Sequence, residues 1–131
     1  MPLTADDRVE IQMLGARYNH AIDFHDHEAW ADTFVTDGCF ISPQGRWDGR
    51  QKLIAFSQDS TTSPICSHRH WTNNWVIDGD GDDATSTCYL NLVDVTNNGA
   101  ILVTGLYQDR LRKVDGAWKF VERRVSLDSA G

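Results

Sequence analysis

The chain has 131 residues, room for one compact domain and little more. It is 40% hydrophobic, with five Trp, five Phe and three Tyr, enough to fill a core and to argue against wholesale disorder. Twelve Lys and Arg against nineteen Asp and Glu leave a net charge of −7, which repels phosphate backbones and anionic membranes and disfavours nucleic-acid binding by bulk charge.

Thr4 to about His25 reads as a helix, with Thr4, Asp6 and Asp7 able to cap or charge its start. Ile11, Leu14, Tyr18 and Ile22 fall on one face, and Val9, Met13 and Ala16 form a second apolar arc nearly opposite. Apolar surface on two sides predicts a helix clasped by other structure. A shorter helix is expected over His27 to Phe34, with Trp30 and Phe34 four residues apart. Thr36-Asp37-Gly38 then turns into a strand at Cys39-Phe40-Ile41. Asp48-Gly49-Arg50 opens a third helix ending near Ser57, and the Ser/Thr-rich stretch from Gln58 to Pro64 reads as a loop.

The second half changes character. Strands are expected at about 68–78, 84–94, 100–114 and 118–127, separated by the acidic run from Asp78 to Asp83, by Asn97-Asn98-Gly99 and by Asp115-Gly116. The last two are hairpin signals. Helices first and an antiparallel meander second is an α+β pattern in a single domain spanning residues 1–131.

Cys39, Cys66 and Cys88 are odd in number and widely spaced, so neither a disulfide framework nor a zinc ribbon is suggested. No basic-then-apolar leader is visible, and no apolar run approaches the roughly 20 residues a membrane helix needs. A soluble, cytoplasmic protein that does not engage a membrane is expected.

The chemistry concentrates around residues 66–75. As a strand, this segment points His68, His70, Thr72 and Asn74 one way and Arg69, Trp71, Asn73, Trp75 and Ile77 the other. The polar side is either a solvated sheet face or the wall of a pocket with an imidazole base. Asp23, at the end of the first helix, is a candidate partner for such a base, or simply an exposed helix-end carboxylate. Arg123 sits between Val121 and Val125 on one strand face. Such an Arg covers apolar surface or pairs with an acid, or else presents a cation to developing negative charge. His68 and His70 could share a metal, but spacing marks no third ligand, and the acidic run lacks the Glu that would close a calcium loop. There is no Gly-rich phosphate loop and no Gly-x-Ser-x-Gly.

Several motifs, in order, carry a resemblance over nearly the whole chain. They are Arg17-Tyr-Asn-His-Ala-Ile-Asp23, Phe34-Val-Thr-Asp-Gly-Cys-Phe40, Trp47-Asp-Gly-Arg50, His70-Trp-Thr-Asn-Asn74, Gly105-Leu-Tyr-Gln-Asp109 and Val114-Asp-Gly-Ala-Trp-Lys-Phe120. Together they resemble the SnoaL-like family of the nuclear transport factor 2-like superfamily. The resemblance implies a cone-shaped barrel: a curved antiparallel sheet wrapped around N-terminal helices, with a pocket between them. Within the family the chain looks most like cofactor-independent lyases: hexachlorocyclohexane dehydrochlorinase, scytalone dehydratase and bile acid 7α-dehydratase.

That likeness implies a His–Asp dyad of His70 and Asp23, assisted by Tyr18 and Arg123. His68, Asn74, Trp30, Phe34 and Phe40 would line the pocket, with no cofactor and no metal. The chain departs from individual lyases at Tyr18, His68, Leu92 and Ile22, so no particular substrate carries over. The expected activity is lyase or isomerase chemistry on a small, largely apolar, possibly cyclic molecule. The alternative is a non-catalytic ligand-binding or assembly domain of the same fold. Relatives associate through the sheet, so a homodimer or homotrimer is expected, with Trp71, Trp75 and Ile77 as the contact face.

Overall fold

A computed structural model describes residues 1–61 and 63–128. Thr62, within the loop expected over 58–64, and residues 129–131 lie outside the described residues.

Helix α1 (Ala5–Asp23) begins with a capping box. The Thr4 hydroxyl accepts from the Asp7 amide at 3.0 Å, and the Asp7 carboxylate accepts from the Thr4 amide at 3.0 Å. Asp7 also accepts from the Trp118 indole at 3.1 Å and pairs with Lys113 at 3.3 Å, so the helix start is tied to the far hairpin. The Thr4 amide and the Trp118 indole hold its carboxyl well below the usual carboxylate range.

Ile11, Leu14 and Tyr18 are buried as their spacing predicts. The second arc is not: Val9 and Met13 are 59% and 51% exposed, because the sheet covers only one side of the helix. After a residue in left-handed conformation, His25 (φ 62°), Asp26 caps α2 (His27–Asp32) by accepting from the Ala29 amide.

Strand β1 (Phe34–Ser42) is longer than the three residues expected, and it pairs with a short strand β2 (Gly45–Asp48) not read from the sequence. Helix α3 (Arg50–Ser60) runs one turn past the expected end at Ser57, burying Leu53 and Ser57. Strands β3 (His68–Asp80), β4 (Asp83–Asp94), β5 (Ala100–Val114) and β6 (Ala117–Leu127) match their expected bounds to within two residues. Asp115 (φ 51°) and Gly116 (φ 81°) both take positive φ in the β5–β6 turn, the conformation that made Asp-Gly a hairpin signal.

The six strands form one sheet in the order β2-β1-β6-β5-β4-β3, antiparallel throughout except for the parallel β1–β6 pair. Four register shifts, in β1/β6, β3/β4, β4/β5 and β5/β6, bend it around the helices. The cone stays open, since β2 and β3 are edges that do not pair with each other. The architecture is therefore α+β, with helices and sheet sharing one core built around Trp30, Tyr18, Tyr107 and Phe120. Among the described residues, no helix is long and apolar enough to cross a membrane.

Candidate active site

Asp23 meets His70 because α1 lies across β3 in a regular ladder. Four helical residues advance about 6 Å and two strand residues about 6.7 Å, so the two elements can keep step. Asp23 contacts His70, Asn19 donates to the Thr72 hydroxyl at 3.0 Å, and Gly15 lies against Trp75. The last interval is three strand residues rather than two. A register shift between Asn73 and Val76, with Asn74 at φ 55°, absorbs the extra residue. Gly15 is required by the close approach: a Cβ there would lie 2.5 Å from the Trp75 ring.

At the end of this ladder, Asp23 Oδ1 lies 2.6 Å from His70 Nδ1. Its two oxygens also accept from the His70 main-chain amide at 3.1 and 3.0 Å. The carboxylate can only accept, so Nδ1 carries the proton of a neutral imidazole and Nε2 is the basic nitrogen. Asp23 is 6% exposed and the His70 side chain 19%, so the pair is sheltered but reachable.

Both residues line a cavity of about 380 Å³ between the helices and the concave face of the sheet. Tyr18, Trp30, Phe40 and His68 line it too. Leu90, Leu92, Val103 and Val125 supply apolar wall.

Three expected positions fall elsewhere. Arg123 has no exposed surface and lies beneath the wall, its guanidinium carbon 4.3 Å from the Tyr18 ring centroid and 3.5 Å from that of Tyr107. Its Nε is 3.0 Å from Asp109 Oδ1, an ion pair too bent to count as a hydrogen bond, and Nη2 reaches the Cys88 sulfur at 3.6 Å. Burial raises the Asp109 carboxyl above its ordinary value, against the pull of Arg123 and of the Ser86 hydroxyl. Burial also pushes the Cys88 thiol up to about 12. Phe34 is 4% exposed and packs behind the wall against Trp30 and Phe120. Asn74 is exposed at the bulge, because the extra residue reverses the alternation beyond it. For the same reason Trp75 and Ile77 turn inward, leaving Trp71 exposed without them.

Sequence reasoning missed Tyr107 and His25 as lining residues. Tyr107 was legible in the alternation of β5, where Gly105, Tyr107, Asp109 and Leu111 share a face. Its hydroxyl lies 3.5 Å from that of Tyr18, and burial raises both phenols above their ordinary value. They are neutral hydrogen-bond donors at pH 7. His25 reaches the cavity from its left-handed turn, 3.8 Å from the Cys66 sulfur. Among the described residues no cluster of three His, Cys, Asp or Glu side chains is arranged to hold a metal ion.

The fold has close structural counterparts. A cystatin-like-fold protein of unknown function from Nostoc punctiforme superposes with a TM-score of 0.93 at 29% identity, over 99% of this chain and 97% of its own. A variant of Rv3472, a protein of unknown function from Mycobacterium tuberculosis, is 34% identical over 94% of this chain and 72% of its own, with a TM-score of 0.84. A protein from Catenulispora acidiphila, solved in complex with S-DNPA, is 26% identical over 95% and 96% of the two chains, with a TM-score of 0.84. No functionally curated protein matches the sequence significantly. The model of the SnoaL-like domain matches residues 3–124, and the chain belongs to the SnoaL-like family.

Proposed function

We propose that the cavity is the active site of a cofactor-independent lyase or isomerase, of the dehydratase, dehydrochlorinase or cyclase type found among SnoaL-like proteins. The observation that carries this reading is the 2.6 Å contact between Asp23 and His70 Nδ1 at the wall of a largely apolar cavity. Nε2 abstracts a proton from a substrate carbon next to an activating group, and Asp23 orients the ring and stabilises the imidazolium that results. Tyr18 donates to a carbonyl or leaving hydroxyl. Trp30, Phe40 and His68 shape the space around a small, possibly cyclic substrate. The Catenulispora acidiphila protein's complex with S-DNPA supports small-molecule binding.

The test is proton exchange in D2O, followed by NMR, across a panel of small cyclic ketones and hydroxyketones. The native protein is expected to accelerate exchange or elimination for at least one of them. His70→Ala is expected to lower that rate by about 10² or more. Ligand binding without turnover, unaffected by His70→Ala, would point instead to a non-catalytic binding domain.

Assembly belongs to the same reading. Trp71, Val76 and Tyr89 are exposed on the outer face of β3 and β4, where a second copy would cover them in a homodimer or homotrimer. Sedimentation equilibrium giving a monomer at micromolar concentration rejects this. All three cysteines are free, which accords with the cytoplasmic location the reading assumes.

A further inference from the structure

Tyr107 has no part in the dyad, yet its placement is specific. Its hydroxyl lies 3.5 Å from the Tyr18 hydroxyl, both residues line the cavity, and both are only 2% exposed. A contact of that length is at the outer limit of a hydrogen bond and leaves the phenols poorly satisfied by each other. An oxygen about 2.8 Å from each completes a triangle on that base, so one acceptor can receive both protons.

The rings cannot easily swing away. They meet edge to face with centroids 5.7 Å apart, and the fully buried Arg123 guanidinium lies beneath both. That cation cannot touch a ligand. It underlies both rings, so the hydroxyls, not the guanidinium, are the polar groups these two residues bring to the cavity. Leu90, Leu92, Val103 and Val125 offer nothing polar from their side chains.

The geometry points to Tyr18 and Tyr107 as a two-phenol site for a single substrate oxygen, which selects an apolar ring bearing a ketone, or its enol or phenol form, over a halocarbon or hydrocarbon of the same shape. The inference rests on the proton-abstraction reading of the cavity and narrows its substrate class. As His70 Nε2 takes the proton from the carbon beside the carbonyl, the C–H electron pair forms the C=C bond. The carbonyl π pair moves onto oxygen, where both phenols hold it. An oxygen-free analogue would leave the two buried hydroxyls with only their long contact to each other, the kind of shortfall by which polar sites discriminate.

Calorimetric titration with 2-naphthol and with 2-methylnaphthalene, equal in shape but lacking the oxygen, tests this without turnover. The native protein is expected to bind 2-naphthol about tenfold or more tighter than the hydrocarbon. Tyr107→Phe is expected to cost about tenfold for 2-naphthol and less than about twofold for 2-methylnaphthalene. Equal affinity of the native protein for the two probes overturns the inference, and this arm needs no variant to fold. An equal loss for both probes in Tyr107→Phe overturns it as well. Because the readout is binding, preserved discrimination alongside an inert His70 sinks only the base assignment. Lost discrimination alongside an active His70 sinks only the two-phenol site.

Discussion

Two acid–base pairs stand in the same fold in opposite surroundings. In one, Asp23 holds Nδ1 of His70 at 2.6 Å and leaves Nε2 free beside a cavity. In the other, Asp109 and Arg123 lie 3.0 Å apart with side chains fully excluded from solvent, between aromatic rings and a thiol. The first pair keeps one nitrogen uncommitted and reachable. The second has no access to solvent or cavity and packs beneath the Tyr18 and Tyr107 rings. Residue type alone does not separate these roles; exposure and the remaining free atom do.

The largest expected effect strikes the buried pair. Arg123→Met leaves the Asp109 carboxyl buried without its cation, and urea unfolding is expected to show a loss of about 3–5 kcal/mol. The contrast breaks if Arg123→Met keeps its unfolding midpoint and instead loses discrimination between the naphthalene probes.

Next comes the open pair. Asp23→Asn offers His70 an amide, which can stabilise the wrong tautomer and carries no charge for the imidazolium. Turnover on any substrate found by exchange is expected to fall by about 10²-fold or more, with the folded state retained by circular dichroism. A variant with undiminished turnover removes Asp23 from the mechanism.

The ladder that delivers Asp23 to His70 is tested by Gly15→Ala, whose new methyl overlaps the Trp75 ring. A loss of about 1–3 kcal/mol is expected from overpacking. The same displacement should reduce turnover more than Val9→Ala, which changes an exposed position on the same helix. Equal turnover in both variants would separate the Gly15–Trp75 contact from dyad alignment.

The smallest effect concerns a third carboxylate, Asp7. Its folded-state pKa is lowered, so the unfolded chain binds this proton more readily and stability rises with pH through the acid range. That stability is complete above an unfolded value of about 4 and drains away as pH falls below it. Asp7→Asn is expected to flatten the acid limb of a melting-temperature profile below about pH 5 while leaving its shape at pH 6–8 unchanged. Thr4→Ala, which removes only the cap acceptor, is expected to cost about 1 kcal/mol.

Much of this architecture is local enough to read along the chain. Thr4 with Asp7 marks the start of α1, and Asp115-Gly116 demands a turn with positive φ. Alternation over ten or more residues identifies the four long strands. Strand β2 escapes because four residues at a sheet edge carry too little alternation to register. The helical continuation from Ser57 to Ser60 escapes because Ser and Asp favour caps and turns when packing is ignored. Of the site, Asp23, His70 and Tyr18 are legible through the order and spacing of family motifs.

What lay beyond reach was set by contacts between distant segments. Reading β3 as a perfect two-residue repeat put Asn74 in the pocket and Trp75 and Ile77 outside. One extra residue, absorbed by the register shift between Asn73 and Val76, reverses all three. Arg123 shares a face with valines in the sequence, but whether that face meets ligand or core depends on the rings of Tyr18 and Tyr107 laid over it. Periodicity says which side chains travel together. Only the packing of α1 against the sheet says which of them are left with a free atom facing the cavity, because that is a property of neighbours far apart in the chain.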